Sequence, residues 1–224
     1  AFARKLDKAV LFGGADWSTS WNSPTGPVDG SVWEVLKTAG GIFEEDATPD
    51  DAELLELITG TGLVARDGAL SFIEENGYDP DLALMRAPFR ARLRNLKDLD
   101  GRYVYGDAVK AGVPAQVFGI DLQSVATKGG RIPAAKANLI FGDWAQAYLL
   151  TKQEIKYKVF DQGVITDGAG AVTYSLMEND MIALRMTARV AFKIIADDTA
   201  DGETVDSSSE IPFATVSPEN ASTA

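Results

Sequence analysis

The feature that most constrains the fold is a long stretch near the end of the chain in which apolar and polar residues alternate strictly. The apolar members of this stretch are Ile182, Leu184, Met186, Ala188, Val190, Phe192 and Ile194. Between them lie Arg185, Thr187, Arg189 and Lys193. Because successive side chains of a strand point to opposite faces, this period predicts an extended strand with one wetted face. The stretch exceeds the roughly five or six residues of an ordinary strand, so we expect it to run from one subdomain into another.

A second alternation precedes it and also predicts a strand. Ile155, Tyr157 and Val159 alternate with Lys156 and Lys158, which is typical of a half-exposed strand. The last stretch, from residue 197 to residue 224, is rich in Asp, Ser, Thr and Ala. That composition predicts a flexible or loosely attached tail, with residues 211–216 as a candidate edge strand.

Helices are predicted mainly in the first half of the chain. Residues 2–10 have helical spacing with no capping residue before Phe2, so we expect a helix cut in its middle and a natural protein that extends further toward its N-terminus. Gly13 ends this helix. Thr48 and Pro49 predict a helix start, with the threonine as cap. Further helices are expected at about 67–76 and 88–97, with a buried strand at 82–85 between them.

The composition excludes several kinds of chemistry. The chain has 224 residues and contains neither cysteine nor histidine. Disulfides, thiol catalysis, histidine-dependent triads and thiolate or imidazole metal sites therefore cannot be built. The formal net charge is −12, the wrong sign for a protein that grips nucleic acid by neutralising phosphates. These properties favour a structural protein over an enzyme.

Several segments, taken in order, resemble one known family. Asn95–Tyr103 reads Asn-Leu-Lys-Asp-Leu-Asp-Gly-Arg-Tyr, Ile140–Trp144 reads Ile-Phe-Gly-Asp-Trp, and Asn179–Arg185 reads Asn-Asp-Met-Ile-Ala-Leu-Arg. Each segment alone is weak, but their order and spacing over about 2–195 resemble the major capsid proteins of tailed bacteriophages, which have the Hong Kong 97-like fold.

The resemblance implies an α+β fold in two parts, and a division of the chain. A peripheral domain, made of a spine helix and a long β-sheet, would take residues 1–39 and 189–205. An axial α/β domain inserted between them would take residues 40–188, and residues 206–224 would form the C-terminal tail. The family's N-terminal arm and extended loop, which lock neighbouring subunits together, have no counterpart among these residues, so no cross-linking residues are carried over.

Two groups of residues are candidates for contacts between subunits. The basic residues in and beside the helix predicted at 88–97 are Arg86, Arg90, Arg92, Arg94, Lys97 and Arg102. Arg90 and Arg94 share a helical face, which favours contact with an acidic neighbouring subunit over a merely solvated face or contact with DNA. Trp17, Trp21 and Trp33 lie in or near a Gly/Pro-rich loop, where tryptophans are either local core residues or interface anchors, and we favour the anchors.

No cofactor or metal site is predicted. Asp197 to Gly202 opens like a calcium loop, but Ser208 stands where its closing glutamate is required. Glu44, Glu45 and Asp46 are adjacent on a predicted loop and define no acid and base pair.

The function implied by the resemblance is that of a major capsid subunit, not an enzyme. Such subunits form pentamers and hexamers of an icosahedral phage head, located in the virion after assembly in the host cytoplasm. The expected partners are copies of the chain itself, scaffolding and portal proteins, and packaged double-stranded DNA that is contacted weakly. An encapsulin-like compartment shell is the related alternative. From another class, the alternative is a small acidic hydrolase that uses two carboxylates and a divalent metal.

Overall fold

A computed structural model describes most of the chain as two compact units. The described residues are 2–13, 31–48, 50–64, 66–97, 100–104, 116–125, 131–167, 169–194 and 210–223. The main unit comprises Ala1–Tyr148 together with Lys193–Ala224, and the second unit, named here the ribbon unit, comprises Leu149–Phe192.

The helices lie in the main unit. They are α1 Phe2–Phe12, α2 Val32–Ala39, α3 Asp51–Thr59, α4 Ala69–Glu75 and α5 Phe89–Asn95. Gly13, which follows α1, has the positive φ of 61° that favours glycine at a helix end, as the sequence predicted. Helix α2 was not predicted, although Ser31 caps its start by accepting a hydrogen bond from the Glu34 amide at 3.3 Å.

The predicted cap of α3 is wrong by two residues. Asp50, not Thr48, is the N-cap, because its carboxylate accepts a hydrogen bond from the Glu53 amide at 2.7 Å. Aspartate caps a helix at least as well as threonine, so Asp50 can set the start two residues later. The helix ends at Thr59, and Gly60 follows as its C-cap.

A six-stranded mixed sheet forms the centre of the main unit. Its strands are β1 Ile42–Glu44, β2 Leu82–Arg86, β3 Gln116–Val117, β4 Ile120–Val125, β5 Leu139–Gly142 and β10 Phe213–Ser217. They lie in the order β1-β10-β5-β2-β4-β3. The β1–β10 and β2–β4 pairs are parallel, whereas β10–β5, β5–β2 and β4–β3 are antiparallel. The mixed α+β class that was predicted is therefore present.

Strand β10 corrects the prediction of a C-terminal tail. All five of its residues are buried, and it lies between β1 and β5 instead of at an edge. The Thr215 hydroxyl donates a hydrogen bond to the Leu139 carbonyl at 2.9 Å, so this polar residue is satisfied inside the core. The strand expected at 211–216 is present, but as an inner strand of the sheet, and it was expected at an edge because the polar residues of this segment made it look like surface.

The ribbon unit is built almost entirely from strands. These are β6 Ala147–Phe160, β7 Val164–Thr166, β8 Val172–Ser175 and β9 Ala183–Ile194, of which β6 and β9 extend by two residues into the main unit. Strand β6 pairs with β9, and β7 pairs antiparallel with β8. The long strand predicted from the alternation at 182–194 is confirmed as β9, and the strand predicted around Ile155–Val159 lies within β6.

The two units are divided at different positions from the domains that the resemblance implies, and that division into domains stays a prediction. Residues 149–188, predicted to belong to the axial domain, lie in the ribbon unit, whereas the C-terminal strand belongs to the main unit. The grouping of α1 with the long strand in one peripheral domain stays a prediction.

Candidate functional site

The arginine cluster on and around α5 is divided between internal contacts and the surface. Arg92 pairs with Glu45 at 2.8 Å and donates a second hydrogen bond to the Asp50 carbonyl at 3.3 Å. Arg86 donates to the Ala134 carbonyl at 3.2 Å. Arg92 therefore points away from the helical face that carries Arg90 and Arg94, as the spacing predicted, and stabilises the subunit itself.

Arg90 is a member of this cluster whose side chain contains a buried nitrogen without a described hydrogen-bond partner. Its side chain is half-buried, and its Nε atom is buried without a hydrogen-bond partner among the described residues. The Nε atom of Arg86 is buried in the same way, so this feature does not by itself give Arg90 a partner outside the subunit. Arg94, also half-buried, has an interaction partner.

The three predicted tryptophans have different outcomes. Trp33 is only 1% exposed, and its ring centroid lies 5.8 Å from that of Phe12. The Lys136 ammonium lies 5.2 Å from the centroid of the Trp33 ring. Trp33 is thus a core residue of the main unit, which corrects its assignment as an interface anchor: the Gly/Pro loop ends before α2, and Trp33 lies within that helix on its buried side. Trp17 and Trp21 lie outside the described residues.

The carboxylates of Glu44 and Glu45 and the backbone amide of Asp46 bind three separate partners. Glu44 accepts a hydrogen bond from the Ser222 amide at 2.5 Å, and Glu45 pairs with Arg92. The Asp46 amide donates to Glu53 at 2.6 Å. These contacts tie the end of β1 to the C-terminus, α5 and α3, which is a structural role. No group of three acidic side chains suited to a metal ion occurs in the described part of the chain.

The feature that sequence reasoning underestimated is the exposure of the β6–β9 sheet. Its strands leave large apolar side chains open to solvent, and these are Leu149, Leu150, Ile155, Tyr157, Val159, Leu184 and Met186. Just before β9, Ile182 is 74% exposed. The apolar faces of two alternating strands were visible in the sequence, but the sequence alone did not show that the subunit leaves them uncovered.

The β7–β8 pair continues the same pattern. Val164, Val172 and Tyr174 are each at least half exposed. Large apolar side chains exposed on both strand pairs favour a contact with another protein or with a membrane. Within the described residues, no helix is both long and apolar enough to cross a membrane.

Comparison with known proteins identifies the family. The profile of the family described as "Phage capsid family" matches residues 1–200 of this chain. No curated protein sequence matches it significantly.

Solved phage structures share the fold. A chain from Microbacterium phage Oxtober96 is 28% identical with a TM-score of 0.70, and the match covers 97% of this chain and 62% of that one. A chain from Mycobacterium phage Bobi is 26% identical with a TM-score of 0.62, covering 96% and 60%. A chain from Mycobacterium phage Cain is 22% identical with a TM-score of 0.65, covering 97% and 61%. The chain thus spans about three-fifths of the length of these structures. Since the family profile matches most of the sequence, the chain belongs to the phage capsid family.

Proposed function

We propose that this chain is the folded core of a major capsid subunit, many copies of which assemble into an icosahedral phage head around double-stranded DNA. Membership of the phage capsid family supports a structural role. The single observation that carries the proposal is the exposed β6–β9 sheet. A subunit whose work is to bind copies of itself must present such a surface, whereas an isolated soluble protein gains nothing from it.

The low stability expected of an isolated two-stranded sheet also supports association between copies. An isolated two-stranded sheet is at best marginally stable in water, and at least three strands or a packed partner are needed for independent stability. Each large side chain that another surface covers contributes roughly 1.5–3 kcal/mol. Covering Leu184, Tyr157 and Ile182, which are all at least 65% exposed, therefore stabilises both the ribbon unit and the assembly.

Charge favours a second copy as the covering partner. Strands β6 and β9 carry the cations Lys152, Lys156, Lys158, Arg185, Arg189 and Lys193 against the single carboxylate Glu154. The whole chain nevertheless has a net charge of −12, so the remainder of each copy is strongly acidic. The basic, apolar β6–β9 sheet of one copy and the acidic remainder of another attract each other, and this complementarity favours correct encounter.

The finer architecture is proposed as Hong Kong 97-like. The main unit would supply most of the axial domain around pentamer and hexamer axes, and the ribbon unit with α1 would supply the peripheral domain between them. Repeated contacts between identical subunits close into rings when the rotation closes. In this arrangement Arg90 and Arg94 contact an acidic surface of the neighbouring copy, and Trp17 and Trp21 serve as interface anchors.

The proposed partners follow from the same role. Scaffolding and portal proteins would act during assembly in the host cytoplasm, and the finished subunit would lie in the virion. Because the chain is acidic, contact with packaged DNA is weak and independent of sequence. Nuclease-protected DNA inside purified particles distinguishes this role from an encapsulin-like shell that encloses protein.

The mass of the assemblies that the chain forms in solution tests the proposal. We expect the chain to form ring-sized or larger assemblies as its concentration rises in analytical ultracentrifugation. Leu184→Asp should shift this association to higher concentration, because it places a charge on the exposed apolar face. Thr173→Asp, at an exposed position of the β7–β8 pair that carries no large apolar side chain, is the control. A wild-type chain that stays monomeric at every concentration would refute the proposed function.

A further inference from the structure

The loop between α3 and α4, described at residues 60–64 and 66–68, is closed at its base by two glycines. Gly60 follows α3 with a φ of +84°, and Gly68 precedes α4. A Cβ added to Gly68 would lie 2.1 Å from the Gly60 nitrogen, so the two ends of the loop touch through their backbones. A compact surface loop with adjoining ends is an Ω-type loop, a kind that is frequently functional.

Asp67 joins the two ends of this loop through hydrogen bonds. Its Oδ2 atom accepts hydrogen bonds from the Thr61 amide at 2.8 Å and from the Thr61 hydroxyl. The Ser71 hydroxyl lies 3.4 Å from Oδ1 and accepts a bond from the Gly68 amide at 3.1 Å. The Thr61 hydroxyl in turn accepts from the Leu63 amide at 3.3 Å. These hydrogen bonds hold the two ends of the loop together and tie the Leu63 amide to Thr61.

The loop exposes two apolar side chains to solvent. Leu63 is 89% exposed and Val64 is 66% exposed, and no other large apolar side chain among the described residues is more exposed than Leu63. Arg66 follows at the same tip, with its guanidinium 5.8 Å from the centroid of the Phe72 ring. Because hydrogen bonds already hold the two ends of the loop together, covering Leu63 and Val64 costs less conformational entropy than it would on an open loop.

The main unit also contains a recess whose chemistry matches this tip. It has a volume of about 380 Å³ and lies between the α3–α4 region and the β3–β4 turn. Its lining residues are Thr59, Leu70, Glu74, Asp79, Pro80, Phe118, Gly119 and Ile120. Leu70, Pro80 and Ile120 provide apolar lining, and Glu74 and Asp79 provide negative charge. Phe118, 47% exposed, is held at a φ of +51°, a conformation uncommon for an aromatic residue.

We propose that the Leu63–Val64 tip of one copy inserts into this recess on a second copy, with Arg66 facing Glu74 and Asp79. The proposal rests on the proposed function, which makes a second copy of the chain the partner. The tip offers two apolar side chains beside a cation, and the recess offers an apolar lining beside two carboxylates. Since each copy carries both the tip and the recess, one kind of contact repeated among copies builds an oligomer.

Mixing two variants tests this pairing. Leu63→Asp removes the tip and leaves the recess intact, whereas Phe118→Asp damages the recess and leaves the tip intact. Each variant alone should associate roughly tenfold more weakly than the wild type in analytical ultracentrifugation, since a buried apolar side chain is replaced by a charge. An equimolar mixture should form heterodimers, because one intact tip meets one intact recess.

Controls separate failure of this contact from failure of the proposed function. Gln123→Asp adds the same charge at an exposed site of the main unit outside both surfaces and should associate like the wild type. Circular dichroism checks folding, and Leu63→Ser replaces Leu63→Asp if the latter unfolds. Variants that associate like a self-associating wild type, or a mixture that forms no heterodimer, overturn the tip and recess contact alone. A wild type that never associates overturns the proposed function as well.

Discussion

The ion pair between Glu45 and Arg92 connects the end of β1 to α5. The Glu45 side chain is 6% exposed and that of Arg92 is 26% exposed, with 2.8 Å between Oε2 and Nη1. Neither the pairing nor its burial was predictable, because the partners are far apart in the sequence and Glu45 looked like one of three equivalent loop carboxylates. The sequence did predict that Arg92 lies on a different face of the helix from Arg90 and Arg94, because this follows from helical spacing alone.

Removing one member of this pair should destabilise the main unit. Arg92→Met leaves the buried Glu45 carboxylate without its cation, and we expect the free energy of unfolding to fall by roughly 2–3 kcal/mol. Urea unfolding followed by tryptophan fluorescence measures this loss. The double variant Arg92→Met with Glu45→Gln should recover part of it, because the uncompensated charge is gone. Equal losses in the single and double variants would contradict the account.

Asp67 should titrate below its ordinary range. The hydrogen bond from the Thr61 hydroxyl is the largest cause that lowers the pKa of this carboxyl from 3.8. A lowered folded-state pKa means that the contribution of Asp67 to stability is complete above pH 3.8 and is lost as the pH falls through the folded-state value. Carboxyl NMR titration should give a midpoint below 3.8, and Thr61→Val should raise it. A midpoint at or above 3.8 in the wild type would show that the loop is not fastened as described.

Strands β9 and β10 show what the pattern of an element can and cannot predict. Strand β9 was predictable because a strict period of two over more than ten residues has no helical interpretation. Strand β10 was expected only as a candidate edge strand at 211–216, because five residues containing Thr215 and Ser217 carry little periodic signal. Its assignment depends on long-range pairing with β1 and β5, which local sequence does not encode. The exposure of the ribbon was likewise unpredictable, since periodicity shows which face is apolar and not whether anything covers it.

Strand β10 should behave as core. Phe213 is fully buried, with its ring centroid 5.0 Å from that of Trp144. Phe213→Ala should therefore lower the free energy of unfolding of the main unit by about 3–5 kcal/mol, as other deletions of buried aromatic rings do. Glu219→Ala, at an exposed position just after the strand, should change it by less than about 0.5 kcal/mol. If both substitutions lowered the free energy of unfolding equally little, the segment would be a tail and not part of the core.

At the scale of the whole molecule, the chain combines a conventional hydrophobic core with a second unit that is largely uncovered. The main unit buries its sheet beneath helices, whereas the ribbon unit exposes large apolar side chains on several strands. The main unit can fold by its own contacts. Family membership and this division of surfaces support the proposal that neighbouring copies cover the exposed side chains of the ribbon unit. The order of the sequence segments was enough to indicate the family, but not the boundary between the units, because β6 and β9 extend across it.

Electron microscopy of the purified chain over a range of protein and salt concentrations tests the central proposal most directly. The account predicts rings of capsomer size or larger closed shells, lost or weakened by Leu184→Asp and retained by Thr173→Asp. Small discrete particles of monomer size under every condition would contradict it.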